Sequence, residues 1–125
     1  EKFIKFKKNF VNKNYDNPII KEMWSLVESE NISKKIVIDL FDGVETDLQE
    51  KVQINSKKDL LVYSYRVAGT VGLMMAKILK VKSNLALTSA IDLGIAMQLT
   101  NIARDVIEDA DRNRKYIDNN FNKIN

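Results

Sequence analysis

The sequence predicts an all-α fold, and three observations carry the prediction. One Pro and four Gly in 125 residues leave little turn punctuation. Apolar side chains recur at helical spacing almost throughout, and no stretch alternates long enough to compete as a strand. Capping residues stand just ahead of the periodic stretches. With no internal repeat and no low-complexity linker, residues 1–125 read as a single all-helical segment.

Four helices follow in order. Asn17 as N-cap and Pro18 at the first helical position open a helix over 18–29, with Ile19, Met23, Leu26 and Val27 as its apolar face. Ser33 caps a second over 34–51, where Ile36, Leu40, Val44 and Leu48 recur every four residues and Gly43 interrupts at some cost. Ser56 opens a third over 57–80. Ser83 or Asn84 opens a fourth over 85–111, which at about 1.5 Å per residue is about 40 Å long.

Composition narrows the chemistry. At 45% hydrophobic and 30% charged residues the chain reads as globular, and no run approaches the roughly 18 apolar residues of a membrane span. Without Cys there are no disulfides or thiolates, and without His the commonest metal ligand and general base is missing. Any chemistry rests on carboxylates, amides, Tyr, Arg and Lys. The net charge of +3 is modest, and its basic residues cluster only in Lys2, Lys5, Lys7 and Lys8. That start reads as a solvated end with a few apolar anchors, or as a peripheral contact with acidic headgroups; nucleic acid is not an expected partner. No secretory signal is visible, so the expected location is cytoplasmic, with that membrane contact as the variant. The chain begins at Glu1 and closes in the Asn-rich stretch 118–125, so a fragment is expected.

The chemistry concentrates in Gln98, Asn101, Asp105 and Asp109, which a continuous helix places within about 80° of one another. Hard divalent cations want oxygen ligands, keep several waters and complete their shell with phosphate oxygens. On an apolar helix two carboxylates and two amides are costly without a partner, and a cation turns their repulsion into binding. The alternative is an ordinary solvated face. Arg104, Arg112, Arg114 and Lys115 flank the stripe, either as phosphate ligands or as surface ion pairs. On the third helix Tyr63, Val67, Thr70 and Met74 share one face, with Ala68 and Gly72 nearer the other. That face could wall a pocket ended by a phenol; the small residues could equally mark a tight helix crossing. The acid-rich stretch 42–47 is weaker by itself.

Together these segments resemble the squalene/phytoene synthase family of head-to-head prenyl synthases. Tyr63-Ser64-Tyr65-Arg66-Val67-Ala68-Gly69-Thr70-Val71-Gly72 resembles its Y-C-Y-x-V-A-G-T-V-G signature. At the right separation, residues 96–109 resemble its second aspartate-rich motif, in wording closest to bacterial phytoene synthases. Residues 43–48 resemble its G-M-x-x-D-L segment, so the similarity covers roughly residues 16 to 117. Departures are Ser64 for the usual Cys, Ile107 for a frequent Gly, and Asn113 with Asp118 in the closing G-R-x-Y-L-P pattern around Arg114 and Tyr116.

The resemblance implies the isoprenoid synthase fold, a prenyl diphosphate substrate and Mg²⁺. It implies Asn101, Asp105 and Asp109 as metal ligands, with Gln98 in the cavity and Arg104 and Arg114 on diphosphate. Tyr63 is implied at the reacting end, Val67 and Ala68 along the prenyl channel, and Asp47 as a further cavity carboxylate. Catalytic roles thus fall to Tyr63, Asp105 and Asp109. The expected reaction is condensation of two geranylgeranyl diphosphates through a cyclopropylcarbinyl diphosphate. Alternatives are squalene or dehydrosqualene formation from farnesyl diphosphate, a non-catalytic relative acting as scaffold or assembly factor, and a stand-alone helical binding module. The family's first aspartate-rich motif and its C-terminal helices are not in these residues, so the piece is expected to be inactive alone.

Overall fold

Helix caps set the boundaries of the computed structural model, which describes residues 1–118. The elements are α1 (Lys2–Val11), α2 (Pro18–Ser29), α3 (Lys34–Asp47), β1 (Val52–Gln53), α4 (Lys57–Ser64), a π turn (Tyr65–Gly69), α5 (Thr70–Ile78), α6 (Asn84–Arg104), α7 (Val106–Asp111) and β2 (Arg114–Lys115). The all-α class stands. Side chains of Asn17, Ser33, Ser56 and Ser83 accept backbone N–H groups of Ile19, Lys35, Asp59 and Ala86, satisfying donors that a helix start leaves orphaned. With so few glycines, left-handed residues after several helices are Asn31, Lys80 and Asn113, at φ of 53°, 66° and 59°. The Asn-rich stretch beyond residue 118 lies outside the described residues.

The structure departs from the sequence expectation at five places. Residues 2–11 form a helix whose Phe10 is fully buried; its aromatic side is spent on the core rather than left solvated. The helix expected over 34–51 stops at Asp47, because the following residues turn into β1. β1 pairs in parallel with β2, Val52 N–H donating to the Asn113 carbonyl at 2.9 Å and Ile54 N–H to that of Lys115 at 2.8 Å. The third helix is divided by the π turn, and the fourth breaks at Asp105 into α6 and α7. Finally, α6 is mostly exposed, with Ile102 its buried residue. Its 21 residues are long and apolar enough, by length and composition only, to cross a membrane. Here it lies against the π turn and α5 on one side.

Two clusters form the interior. Phe10, Trp24 and Phe41 centre the first, with Ile20, Val27, Ile32, Ile36 and Val37 around them and Leu73 and Met74 of α5 against it. Phe10 stacks on Trp24 at 4.9 Å between centroids and meets Phe41 edge-on at 5.2 Å. Such pairs contribute about 0.5–1.5 kcal/mol beyond burial. The Trp24 indole N–H donates to the Phe10 carbonyl at 2.9 Å, so this buried donor is satisfied. Lys7 of α1 pairs with Asp42 and Glu45 of α3, and the Asp42 bond is the main reason its pKa is raised. The second cluster holds Val52, Ile54, Tyr63, Ile102 and Tyr116, so it joins β1, α4, α6 and the segment after β2.

Glycines set the helix crossings. A Cβ on Gly72 would lie 2.3 Å from the Ala90 carbonyl oxygen, and one on Gly94 would lie 2.4 Å from that of Ala68. The two helices therefore meet backbone to backbone, which only glycine permits at these positions.

Candidate functional site

Asp47, the last residue of α3, receives two phenols. The Tyr63 hydroxyl lies 2.8 and 2.7 Å from its two carboxylate oxygens, and the Tyr116 hydroxyl donates to Oδ1 at 2.6 Å. The rings stack at 5.0 Å with 21° between planes. Both are buried, and burial above all, with the bond to Asp47 adding to it, raises both phenol pKa values, that of Tyr116 to about 12. They stay protonated donors near neutral pH. Tyr116 reaches Asp47 because β1 and β2 tie the two ends together, helped by the Arg114 guanidinium donating to the Gln49 carbonyl at 3.0 Å.

Beside this cluster runs an apolar groove of about 640 Å³ between α5 and α6. Val67, Ala68, Gly72, Met75, Leu93 and Met97 line it, with Gln98 and Asn101 among its lining on α6. Because the helices meet at Gly72–Ala90 and Ala68–Gly94, they run antiparallel, so those amides stand at the Val67 end. Val67 also packs on the cluster holding Tyr63. This corrects the expected face. The groove lies on the Ala68 and Gly72 side, whereas Met74 joins the aromatic core and Thr70 is fully buried, its hydroxyl donating to the Arg66 carbonyl at 2.7 Å. The glycine contacts are the physical reason: Gly72 and Ala68 meet the backbone of α6 at Ala90 and Gly94, so the groove opens on their side of the helix and away from Met74. Val67 and Ala68 both reach the groove nonetheless.

The acid stripe is bent rather than straight. Asp105 is the hinge between α6 and α7, at φ −101° and ψ 17°, and its carbonyl accepts the Asp109 N–H at 2.8 Å. Arg104 grips the Asp105 carboxylate at 2.7 and 2.8 Å, which is the main reason its pKa is lowered. Asp109 is half-buried; desolvation first, then Asp105 and Glu108, hold its pKa up. Asp109 and Tyr116 line a second recess of about 400 Å³, with Ile102, Lys51, Arg114 and Lys115 also on its wall. Of the flanking cations, Arg104 is thus on Asp105, Arg112 on Glu108 and Arg114 on a backbone carbonyl. Among the described residues no group of three or more acidic side chains is gathered closely enough to enclose a metal ion. The stripe offers one open wall of oxygen donors. Within the stripe Gln98, Asp105 and Asp109 are half-buried and Asn101 is exposed.

Tyr116 was not among the residues singled out from the sequence. Its only signal there is its place in the closing G-R-x-Y-L-P pattern.

A concave, mostly apolar groove with a few polar side chains at one end has the general form of a small-molecule site. The squalene/phytoene synthase profile matches residues 5–121, and the chain belongs to that family. It is 45% identical over 89 residues to the 15-cis-phytoene synthase of Pantoea ananas, covering 71% of this chain and 28% of that protein. It is 48% identical over 80 residues to the enzyme of that name from Paracoccus sp., covering 64% and 26%. It is 45% identical over 94 residues to the phytoene synthase of Thermus thermophilus, covering 75% and 32%. The chain thus spans roughly a quarter to a third of the length of these relatives. No solved structure gives a significant match.

Proposed function

We propose that this chain is the central portion of a phytoene-synthase-type prenyltransferase that joins two geranylgeranyl diphosphates head to head. The reaction passes through a cyclopropylcarbinyl diphosphate and loses both diphosphates. The observation that carries this reading is the groove: apolar walls end at Gln98 and Asn101, one turn from Asp105, and Val67 of the groove packs on the cluster that holds Tyr63. Val67 and Ala68 hold the prenyl chain away from water, which would otherwise quench the carbocations. Tyr63, a protonated donor fixed by Asp47, faces the reacting end. Arg104 and Arg114 are the guanidinium groups for diphosphate, and Arg104 must release Asp105 to serve there.

The donor set fits a hard cation. Burial first, then Asp105 and Glu108, raises the pKa of Asp109, and a cation would relieve the crowding of carboxylates. Asn101, Asp105 and Asp109 would hold Mg²⁺. Bound Mg²⁺ supplies the charge that stabilises departing diphosphate. Because the stripe is one wall, the isolated chain is expected to be inactive and the full-length protein active, in the cytoplasm. Retention of Asn101, Asp105 and Asp109 speaks for the enzyme over a scaffold. The aromatic side of α1 is buried, which leaves Ile4 and its lysines for any membrane contact.

The test is incubation of the full-length protein with Mg²⁺ and labelled geranylgeranyl or farnesyl diphosphate. A coupled C40 hydrocarbon or its cyclopropyl precursor is expected from the first. A C30 product alone would move the assignment to farnesyl diphosphate, and no coupled product from either would remove the enzyme reading.

A further inference from the structure

Tyr63 has two features that its own position does not explain. Its hydroxyl meets both oxygens of Asp47, and Asp47 is simultaneously held by a second phenol from a distant part of the chain. Asp47 ends a helix that stops there, so nothing in α3 beyond it braces the carboxylate. The brace comes from Tyr116, which is 8% exposed, stacks on Tyr63 and also lines the recess holding Asp109. Tyr116 in turn is located by the parallel β1–β2 pair and the Arg114–Gln49 bond. A chain with no other strand among its described residues spends two backbone bonds on holding this one segment.

We infer that Tyr116 is a positioning residue, which acts through Asp47 to fix the Tyr63 hydroxyl in the cluster against which Val67 of the groove packs. The geometry explains why one carboxylate needs two donors. A bond from Tyr63 alone leaves the carboxylate free to rotate, and the phenol follows it. The 2.6 Å bond to Oδ1 pins that rotation. Loss of the Tyr116 hydroxyl with retention of its ring, as in Tyr116→Phe, keeps the stack and the burial and frees only the carboxylate. The catalytic consequence rests on the prenyltransferase reading above; the structural consequence does not.

The experiment therefore has two readouts in the full-length protein. Steady-state kinetics with geranylgeranyl diphosphate and Mg²⁺ compares Tyr116→Phe, Asp47→Asn and the double variant. Tyr116→Phe should lower kcat about 10- to 30-fold with KM within about twofold, the scale of one charge-assisted hydrogen bond. Adding Tyr116→Phe to Asp47→Asn should cost nothing further. Full turnover in Tyr116→Phe, or additive losses in the double variant, overturns the inference. The second readout is the NMR signal of the Tyr63 hydroxyl proton, slowed in exchange by its bond to Asp47. It should broaden or vanish in Tyr116→Phe, and an unchanged signal overturns the inference whether or not the protein turns over prenyl diphosphate. Absence of turnover in the unaltered protein, with the signal responding as expected, removes the prenyltransferase reading and leaves the positioning role intact.

Discussion

The helices α1 to α3 and the helices α5 to α7 solve opposite problems, and the second set, although the richer in apolar residues, buries fewer of them. In the first region aromatic rings face inward, so Phe10 and Ile20 lose all solvent contact and Trp24 nearly all. In the second, Leu93 and Met97 stand 62% and 60% exposed along a groove. Stability is concentrated where rings interlock, and binding capacity where glycines bring two backbones together and leave their flanks open.

The largest expected effect follows from that contrast. In urea denaturation of this chain, Phe10→Ala should cost about 3–5 kcal/mol, whereas Met97→Ala should stay within about 0.5 kcal/mol. Equal losses would erase the distinction between the two regions. Next comes Gly94→Ala. Alanine gains about 1 kcal/mol of helix propensity, but its Cβ would lie 2.4 Å from the backbone carbonyl of Ala68, which cannot swing aside. The overpacking penalty of about 1–3 kcal/mol should win, with the midpoint shifted to lower urea.

Ser64 gives a smaller effect of opposite sign. It is fully buried and its hydroxyl has no hydrogen-bond partner among the described residues, so Ser64→Ala should stabilise by about 1 kcal/mol. Unchanged or lower stability would mean that the hydroxyl is satisfied in solution. Alkaline pH offers a further comparison. Burial raises the pKa of Tyr63 and Tyr116 above the ordinary 10.0, so the stability they contribute is complete below pH 10. Above that the unfolded phenols ionise first, and stability falls as pH rises toward 12. Tyr116→Phe should flatten that slope.

The contrast also marks what could be read from the residues. Periodicity and caps located α2 to their ends, because Asn17 and Pro18 act locally. α1 was missed since its burial depends on Trp24 and Phe41, far along the chain. The π turn and the break at Asp105 lie inside good helix formers, where tertiary packing overrides propensity. Val67, Ala68 and Gln98, which the family motifs point to as cavity residues, line the groove, together with Asn101, which the same motifs point to as a metal ligand. Tyr116 was not, because its role appears only once two-residue strands bring it to Asp47.

The central claim is that the Asp105–Asp109 wall serves chemistry rather than folding. Both residues are half-buried, one carboxylate tied to its own neighbour and the other held with a raised pKa. The direct measurement is turnover of labelled geranylgeranyl diphosphate together with thermal midpoint in the full-length protein carrying Asp105→Asn and Asp109→Asn. The account predicts loss of the coupled product with a midpoint close to that of the unaltered protein, since the Asp105–Asp109 repulsion removed and the surface Arg104–Asp105 pair lost are small and opposed. Retained turnover, or loss accompanied by unfolding, would contradict it.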